Sequence, residues 1–76
     1  MMADISLDLK GLACPMPVLR ASKALKGLEP GDAVAVEVSD PAAPQDFRMF
    51  CKNGGHEFIS CDEAQGSIRI IIRKAG

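Results

Sequence analysis

The sequence is short of several things, and each shortage narrows what it can be. Tryptophan and tyrosine are absent, and there is a single histidine among 76 residues. Charge of either sign is nearly balanced, with a formal net charge of −1 and a pI of about 5.7, so nothing general favours nucleic acid or an anionic membrane as a partner. No apolar run approaches the roughly 18 residues that a membrane-spanning helix needs. The opening Met1-Met2-Ala3-Asp4 has neither the basic nor the apolar segment of a secretory leader. The cysteines number three, so they cannot all pair within the chain, and a reducing cytoplasmic compartment is the expectation. Cys14, Cys51 and Cys61 form no Cys-x-x-Cys pair, which removes zinc-type spacing; no metal is expected. A length of 76 residues predicts one domain, residues 1–76, with a limited core.

The most informative stretch is Gly11-Leu12-Ala13-Cys14-Pro15-Met16-Pro17. Pro15 has no N–H to lose and its fixed φ suits a first helical turn. It also pushes Cys14 toward extended backbone. These properties predict a thiol at a helix N-terminus, with Met16 N–H as a donor to the sulfur and the positive end of the helix dipole behind it. A thiolate is favoured in such a setting, so the expected pKa of Cys14 lies below that of a free thiol. Pro17 disfavours helical geometry at Met16, so the regular helix starts at Pro15 or at Pro17.

Around this stretch the periodicity is clear. Residues 5–10 alternate apolar and polar and read as a strand with one buried face. Gly11 ends it with a turn. From Pro15 to Lys26, Val18, Ala21, Ser22 and Leu25 have helical spacing, while Arg20, Lys23 and Lys26 form a basic ridge that is either a docking surface or a solvated face. Gly27 ends the helix. Residues 33–39 form a second strand with Val34, Val36 and Val38 on one face and Ala35, Glu37 and Ser39 on the other. A strand, a helix and a strand of this kind make a right-handed unit with parallel strands. Pro44 opens a second helix behind Ala43 as N-cap, with Phe47, Phe50 and Cys51 toward the core and Gln45, Asp46, Arg48 and Lys52 toward water; Asn53-Gly54-Gly55 ends it. Residues 56–62 and 67–74 are two more strands joined by a loop over 63–66. Ile68, Ile70 and Ile72 face inward, as does Phe58, which would turn Ile59 and Cys61 outward. The order β-α-β-α-β-β predicts an α/β two-layer sandwich with both helices on one face of a mixed sheet. Ala35, Ile59 and Ile71 would then form an apolar patch on the open face, rimmed by Glu37, Arg69 and Arg73.

Asp8-x-x-Gly11-x-x-Cys14-Pro15-x-Pro17, followed by Gly31-Asp32, Asp40-Pro41, Asp46-x-x-x-Phe50-Cys51, Gly55-His56 and the ending Ile72-Arg73-Lys74-Ala75-Gly76, resembles the TusA/SirA-like family of small sulfur carriers over nearly the whole chain. The resemblance implies strand order 1-2-4-3 with the fourth strand antiparallel. It implies that Cys14 accepts persulfide sulfur from a cysteine desulfurase or a rhodanese-like donor and passes it to an acceptor thiol, with no cofactor beyond the covalent persulfide. Thiolation of tRNA is one pathway that such carriers feed. Ala13 stands where some members carry a basic residue. Pro15, Pro17, Gly11 and Asp8 would support the motif, although Asp8 alone reads equally well as a solvated strand residue. His56 reads as a polar cap, Cys51 as a core filler and Cys61 as incidental. The competing reading is a small regulatory binding module whose Cys14 senses redox state.

Overall fold

The computed structural model describes residues 4–75; residues 1–3, in the stretch read above for a leader, and Gly76 lie outside the described residues. The elements are β1 (Ile5–Asp8), α1 (Met16–Leu25), β2 (Ala33–Val38), α2 (Ala43–Gly54), β3 (Glu57–Ala64) and β4 (Ser67–Arg73). The sheet order is β1-β2-β4-β3. β1 and β2 are parallel, and β4 runs antiparallel to both β2 and β3.

The side-chain period of two places Val34, Val36 and Val38 of β2 and Ile68, Ile70 and Ile72 of β4 beneath the helices. They meet Ala21 and Leu25 of α1 and Phe47 and Cys51 of α2 in one core. Ala21 is fully buried, and its small side chain lets α1 lie close on the sheet. Cys51 is buried as a core filler. α2 begins one residue earlier than the sequence suggests: Ala42 is the N-cap and no side chain caps it. Asp40 compensates in part, because its Oδ1 accepts the Ala42 N–H at 3.0 Å.

The open face differs from expectation in one respect. Ala33, Ala35 and Ile71 form a small second cluster with Ile59 packed against it, but Ala35 and Ile71 are only 1% and 8% exposed. The register explains why. On one side lies the row Asp8–Glu37–Arg69–Asp62, and on the other the row Ala33–Arg73–Glu57. Glu37 bridges Lys10 at 3.8 Å and Arg69 at 3.9 Å, and Arg73 pairs with Glu57 at 2.9 Å. Long charged side chains of this kind lay their aliphatic stems over small apolar neighbours, so the patch is not an exposed surface.

Cys61 also differs. The register slips between Phe58 and Ser60, so that Phe58 pairs with Ile72 and Cys61 with Ile70. A bulge places two residues of one strand opposite one of the other and resets the alternation. Phe58 and Ile59 face as expected, but Cys61 turns inward and packs half-buried against the main core. β3 and β4 then run on to a tight turn at Gln65-Gly66, where both residues have positive φ, 52° and 80°.

Candidate functional site

Cys14 lies on the loop between β1 and α1, which follows the C-terminal end of a parallel strand. The loop is tied to the neighbouring loop between β2 and α2, which follows the next parallel strand. Gly11 N–H donates to Ser39 Oγ at 2.9 Å, and Cys14 N–H donates to Asp40 Oδ2 at 2.9 Å. Gly11 has φ +86°, a conformation that a side chain would strain. Asp8 closes the end of β1 with its side chain: Oδ1 accepts the Lys10 backbone N–H at 3.1 Å, and the Lys10 ammonium lies 3.4 Å away. These contacts hold the Asp8 carboxyl below its usual range, the backbone hydrogen bond contributing most. Asp8 thus shapes the strand exit, three residues before the motif loop rises to Cys14.

Pro15 is the N-cap of α1, the peptide before it is cis, and the helix begins at Met16. The N–H of Met16 is spent on the Ala13 carbonyl at 2.9 Å. Pro15 and Pro17 have no N–H. Met16, expected to donate to the sulfur, is therefore already engaged. Pro17 is fully buried and seats the first turn.

The Cys14 thiol is exposed, with no disulfide partner. Its pKa is raised above the ordinary 9.0, opposite to the direction the motif suggests. The Asp46 carboxylate is the leading cause, as hydrogen-bond acceptor for the thiol; desolvation and repulsion by Asp46 and Asp40 follow. Both carboxylates come from the second loop and helix, more than 25 residues along the chain, so no inspection of the residues beside Cys14 would find them. Asp40 itself is held below its usual pKa by the N–H groups of Ala42 and Cys14. Asp46, assigned to the wet side of its helix, is half-buried.

A shallow cavity of about 260 Å³ opens beside the thiol. Cys14, Pro15 and Val18 form one wall, and Asp46, Met49, Phe50 and Asn53 of α2 form the other. The α2 residues recur at i, i+3, i+4 and i+7, a second stripe beside the core-facing one. Phe50 is thus shared: it packs against the core and lines the cavity. His56 is not among the lining residues. It stacks on Phe50 at 5.2 Å, and its Nδ1 accepts the Ala75 N–H at 2.9 Å, which ties down the end of the chain. Gly54 leaves room for this ring, since a Cβ there would lie 2.8 Å from it. Of the basic ridge, Arg20 stands one turn into α1, while Lys23 and Lys26 lie toward the far end, Lys26 being the C-cap. At 1.5 Å per residue, Lys26 is roughly 15 Å along the axis from the Cys14 end. No group of three or more metal-ligating side chains occurs among the described residues.

A family model described as sulfurtransferase TusA matches residues 5–74. The chain belongs to the TusA family. Its similarity to individual members is spread along the chain. It is 38% identical over 72 residues to the sulfur carrier protein TusA of Allochromatium vinosum, covering 95% of each chain. It is 40% identical over 68 residues to a protein of Neisseria meningitidis serogroup A that is named for sulfur carriage, covering 90% of this chain and 92% of that one. The crystal structure of a SirA-like protein from Desulfitobacterium hafniense superposes with a TM-score of 0.83 at 32% identity, covering 95% of this chain and 99% of that one. The two-layer fold and its strand order are those of a TusA-family domain. No helix among the described residues is long and apolar enough to cross a membrane.

Proposed function

We propose that this protein carries sulfane sulfur on Cys14, taking it from a cysteine desulfurase or a rhodanese-like donor and relaying it to an acceptor thiol, in the cytoplasm and without a cofactor other than the covalent persulfide. The observation that carries this reading is an exposed, unpaired thiol at the mouth of an open cavity, on a loop fixed by backbone hydrogen bonds to Asp40 and Ser39. The kinship to sulfur carriers stands beside it. In the loading step Cys14 Sγ attacks the outer sulfur of the donor persulfide. The donor S–S bond breaks, its electron pair stays on the donor sulfur, and the proton lost by Cys14 is made up on that donor thiolate. The net change is Cys14–SH plus donor–S–SH to Cys14–S–SH plus donor–SH, with no external oxidant or reductant. Thiol–persulfide exchange of this kind needs access from both sides of the transfer, and the exposure of Cys14 supplies it. Pro15, Pro17, Gly11 and Asp8 hold the loop. Arg20 and Lys23, with Lys26 behind them, form the basic side that an acidic donor or acceptor would meet. Thiolation of tRNA is one route that such a relay would feed.

The competing reading is a regulatory module whose Cys14 senses redox state; the raised pKa of Cys14 slows oxidation and sulfur transfer alike, because both proceed through the thiolate. The test is intact mass after incubation with a cysteine desulfurase and cysteine, or with a persulfide-loaded rhodanese. Wild type should gain one sulfur that a reductant removes, and Cys14→Ser should gain none while keeping its circular dichroism spectrum. Failure of wild type to gain sulfur from any donor would replace the carrier with the regulatory module.

A further inference from the structure

Two carboxylates stand beside the Cys14 sulfur, and they are differently employed. Asp40 is occupied: its oxygens accept the N–H groups of Cys14 and Ala42. Asp46 is not. Among the described residues no cation pairs with its carboxylate and no N–H donates to it. The group it meets is the Cys14 thiol, from which it accepts a hydrogen bond. It is half-buried on the first turn of α2. It is also the one charged residue, among the described residues, that lines the cavity beside Cys14. A carboxylate early in a helix suits the helix dipole, but that role needs no contact with a sulfur.

For the empty carrier this arrangement is adverse. An acceptor that favours S–H over the thiolate leaves less nucleophile to attack a donor. The loaded carrier reverses the sign. The cavity of about 260 Å³ has room for one more sulfur atom, comparable in size with a water at ~30 Å³. A persulfide S–SH is a stronger acid than a thiol and tends to ionise at neutral pH. Its anion repels an incoming thiolate, whereas the neutral form accepts attack. No cation lines the cavity to favour the anion: Val18 is what α1 contributes, and Met49, Phe50 and Asn53 of α2 are neutral. Asp40 adds a second negative charge. His56 lies behind Phe50, on which it stacks, and its Nδ1 is held by the Ala75 N–H.

We propose, on the basis of the carrier reading, that Asp46 readies the loaded carrier for handover. Its carboxylate accepts the hydrogen bond of the outer S–H on Cys14 and keeps the persulfide neutral, the form that an acceptor thiolate attacks. In the handover the acceptor sulfur bonds to the outer sulfur and the S–S bond breaks. Its electron pair stays on Cys14 Sγ, which takes up the proton that the acceptor thiol released. The net change is Cys14–S–SH plus acceptor–SH to Cys14–SH plus acceptor–S–SH, with no external oxidant or reductant. Asp46 thus slows loading and favours release. The basicity it lends Cys14 Sγ also makes a slower leaving group, but that lowers the rate at every pH, whereas loss of neutrality sets where in pH the rate falls.

The experiment therefore reads a midpoint. Wild type, Asp46→Asn and Asp46→Glu are loaded with inorganic polysulfide, and a thermal melt verifies that each is folded. An uncharged triarylphosphine then removes the outer sulfur as phosphine sulfide and leaves Cys14–SH. The phosphine has no S–H to titrate, so the pH dependence reports the persulfide. Rates are followed by the mass of the Cys14 peptide, which Cys51 and Cys61 do not share. Removal should slow as the persulfide ionises, with a midpoint about one pH unit lower in Asp46→Asn than in wild type. Asp46→Glu, which keeps the charge, should stay near wild type. A role limited to the helix start would move the melt and leave the midpoint. Equal midpoints in wild type and Asp46→Asn overturn the proposal, as does a midpoint in Asp46→Glu as low as that in Asp46→Asn. Wild type that loads from polysulfide but from neither a desulfurase nor a rhodanese has failed as a carrier, a separate result that removes the proposal with the reading. A Cys14 that takes no sulfur even from polysulfide overturns both.

Discussion

Replacing Asp46 with asparagine tests the electrostatics of the site directly. Asparagine keeps the shape and a carbonyl acceptor but removes the charge. The leading cause of the raised Cys14 pKa, the hydrogen bond to the Asp46 carboxylate, is weakened, and the repulsion by that carboxylate disappears; desolvation and the smaller repulsion by Asp40 remain. The midpoint for Cys14 ionisation should therefore fall toward 9.0. The rate consequence follows from two opposed effects. For each pH unit by which the midpoint drops, the thiolate fraction at neutral pH rises about tenfold, while the intrinsic nucleophilicity falls by a factor of about three, given a Brønsted slope of 0.4–0.5. The net gain is about threefold per unit. The assay is the rate of iodoacetamide alkylation from pH 6.5 to 10.5, mapped by mass to the Cys14 peptide so that Cys51 and Cys61 do not contribute. The Asp46→Asn profile should lie above wild type at pH 7.5, and wild type should be the faster of the two above both midpoints, because its thiolate is the stronger nucleophile. A wild-type midpoint below 9.0, or an Asp46→Asn midpoint at or above that of wild type, would refute the reasoning and restore the helix terminus as the dominant influence on the thiol.

Two further outcomes follow from other parts of the fold. Burial pushes the Cys51 thiol from 9.0 up to about 11. A neutral thiol seated in the core contributes stability that is fully present below pH 9 and lost as pH rises toward 11, on the order of 2 kcal/mol at pH 11; urea melts of wild type should weaken across that window and those of Cys51→Ala should not. Gln65 holds φ 52° ahead of Gly66, the conformation that favours Asn-Gly in a two-residue hairpin turn, so Gln65→Asn should raise stability by about 0.5 kcal/mol, read as a higher melting temperature with no change in sulfur loading.

Much of the fold was legible because its signals are local. The alternation of residues 33–39, the run Ile68, Ile70, Ile72 and the spacing of Ala21 and Leu25 each state a face without reference to any other part of the chain, and the structure buries those faces. What failed was through-space. Cys61 was misplaced because a bulge at Ile59 and Ser60 resets the alternation, and no single residue type announces a bulge. The patch of Ala35 and Ile71 was expected to be open because the flanking charges were read as a rim; in the register they are cover. The Cys14 loop was legible as a thiol near a helix start, with Gly11 and the prolines doing what their backbones allow. Its charge environment was not, since it depends on Asp40 and Asp46, which only the tertiary fold brings to the thiol. One signal was present: Asp46, Met49, Phe50 and Asn53 form a second helical stripe, and a stripe that mixes one acid with large apolar groups does not describe a plain solvated face.

The two loops explain why the site can be both held and open. β1 and β2 are parallel neighbours, so the loops that leave them emerge at the same end of the sheet and can share hydrogen bonds. Ser39 and Asp40 give their side chains to the backbone of the Cys14 loop, which fixes where the sulfur sits without covering it. Carboxylates are suited to this task because each can accept several N–H donors at once, and Asp40 serves Cys14 and Ala42 together. Asp40 adds the smallest part of what raises the Cys14 pKa, whereas Asp46 on α2, which accepts from the thiol itself, adds the largest. The raised pKa leaves less thiolate on Cys14 at a given pH, and offsetting the charge of Asp46 would lower it again. If Cys14 exchanges sulfur with chosen proteins, as proposed, selectivity comes from the surface that approaches it, and the apolar walls of Pro15, Val18, Met49 and Phe50 beside the thiol are what that surface would meet.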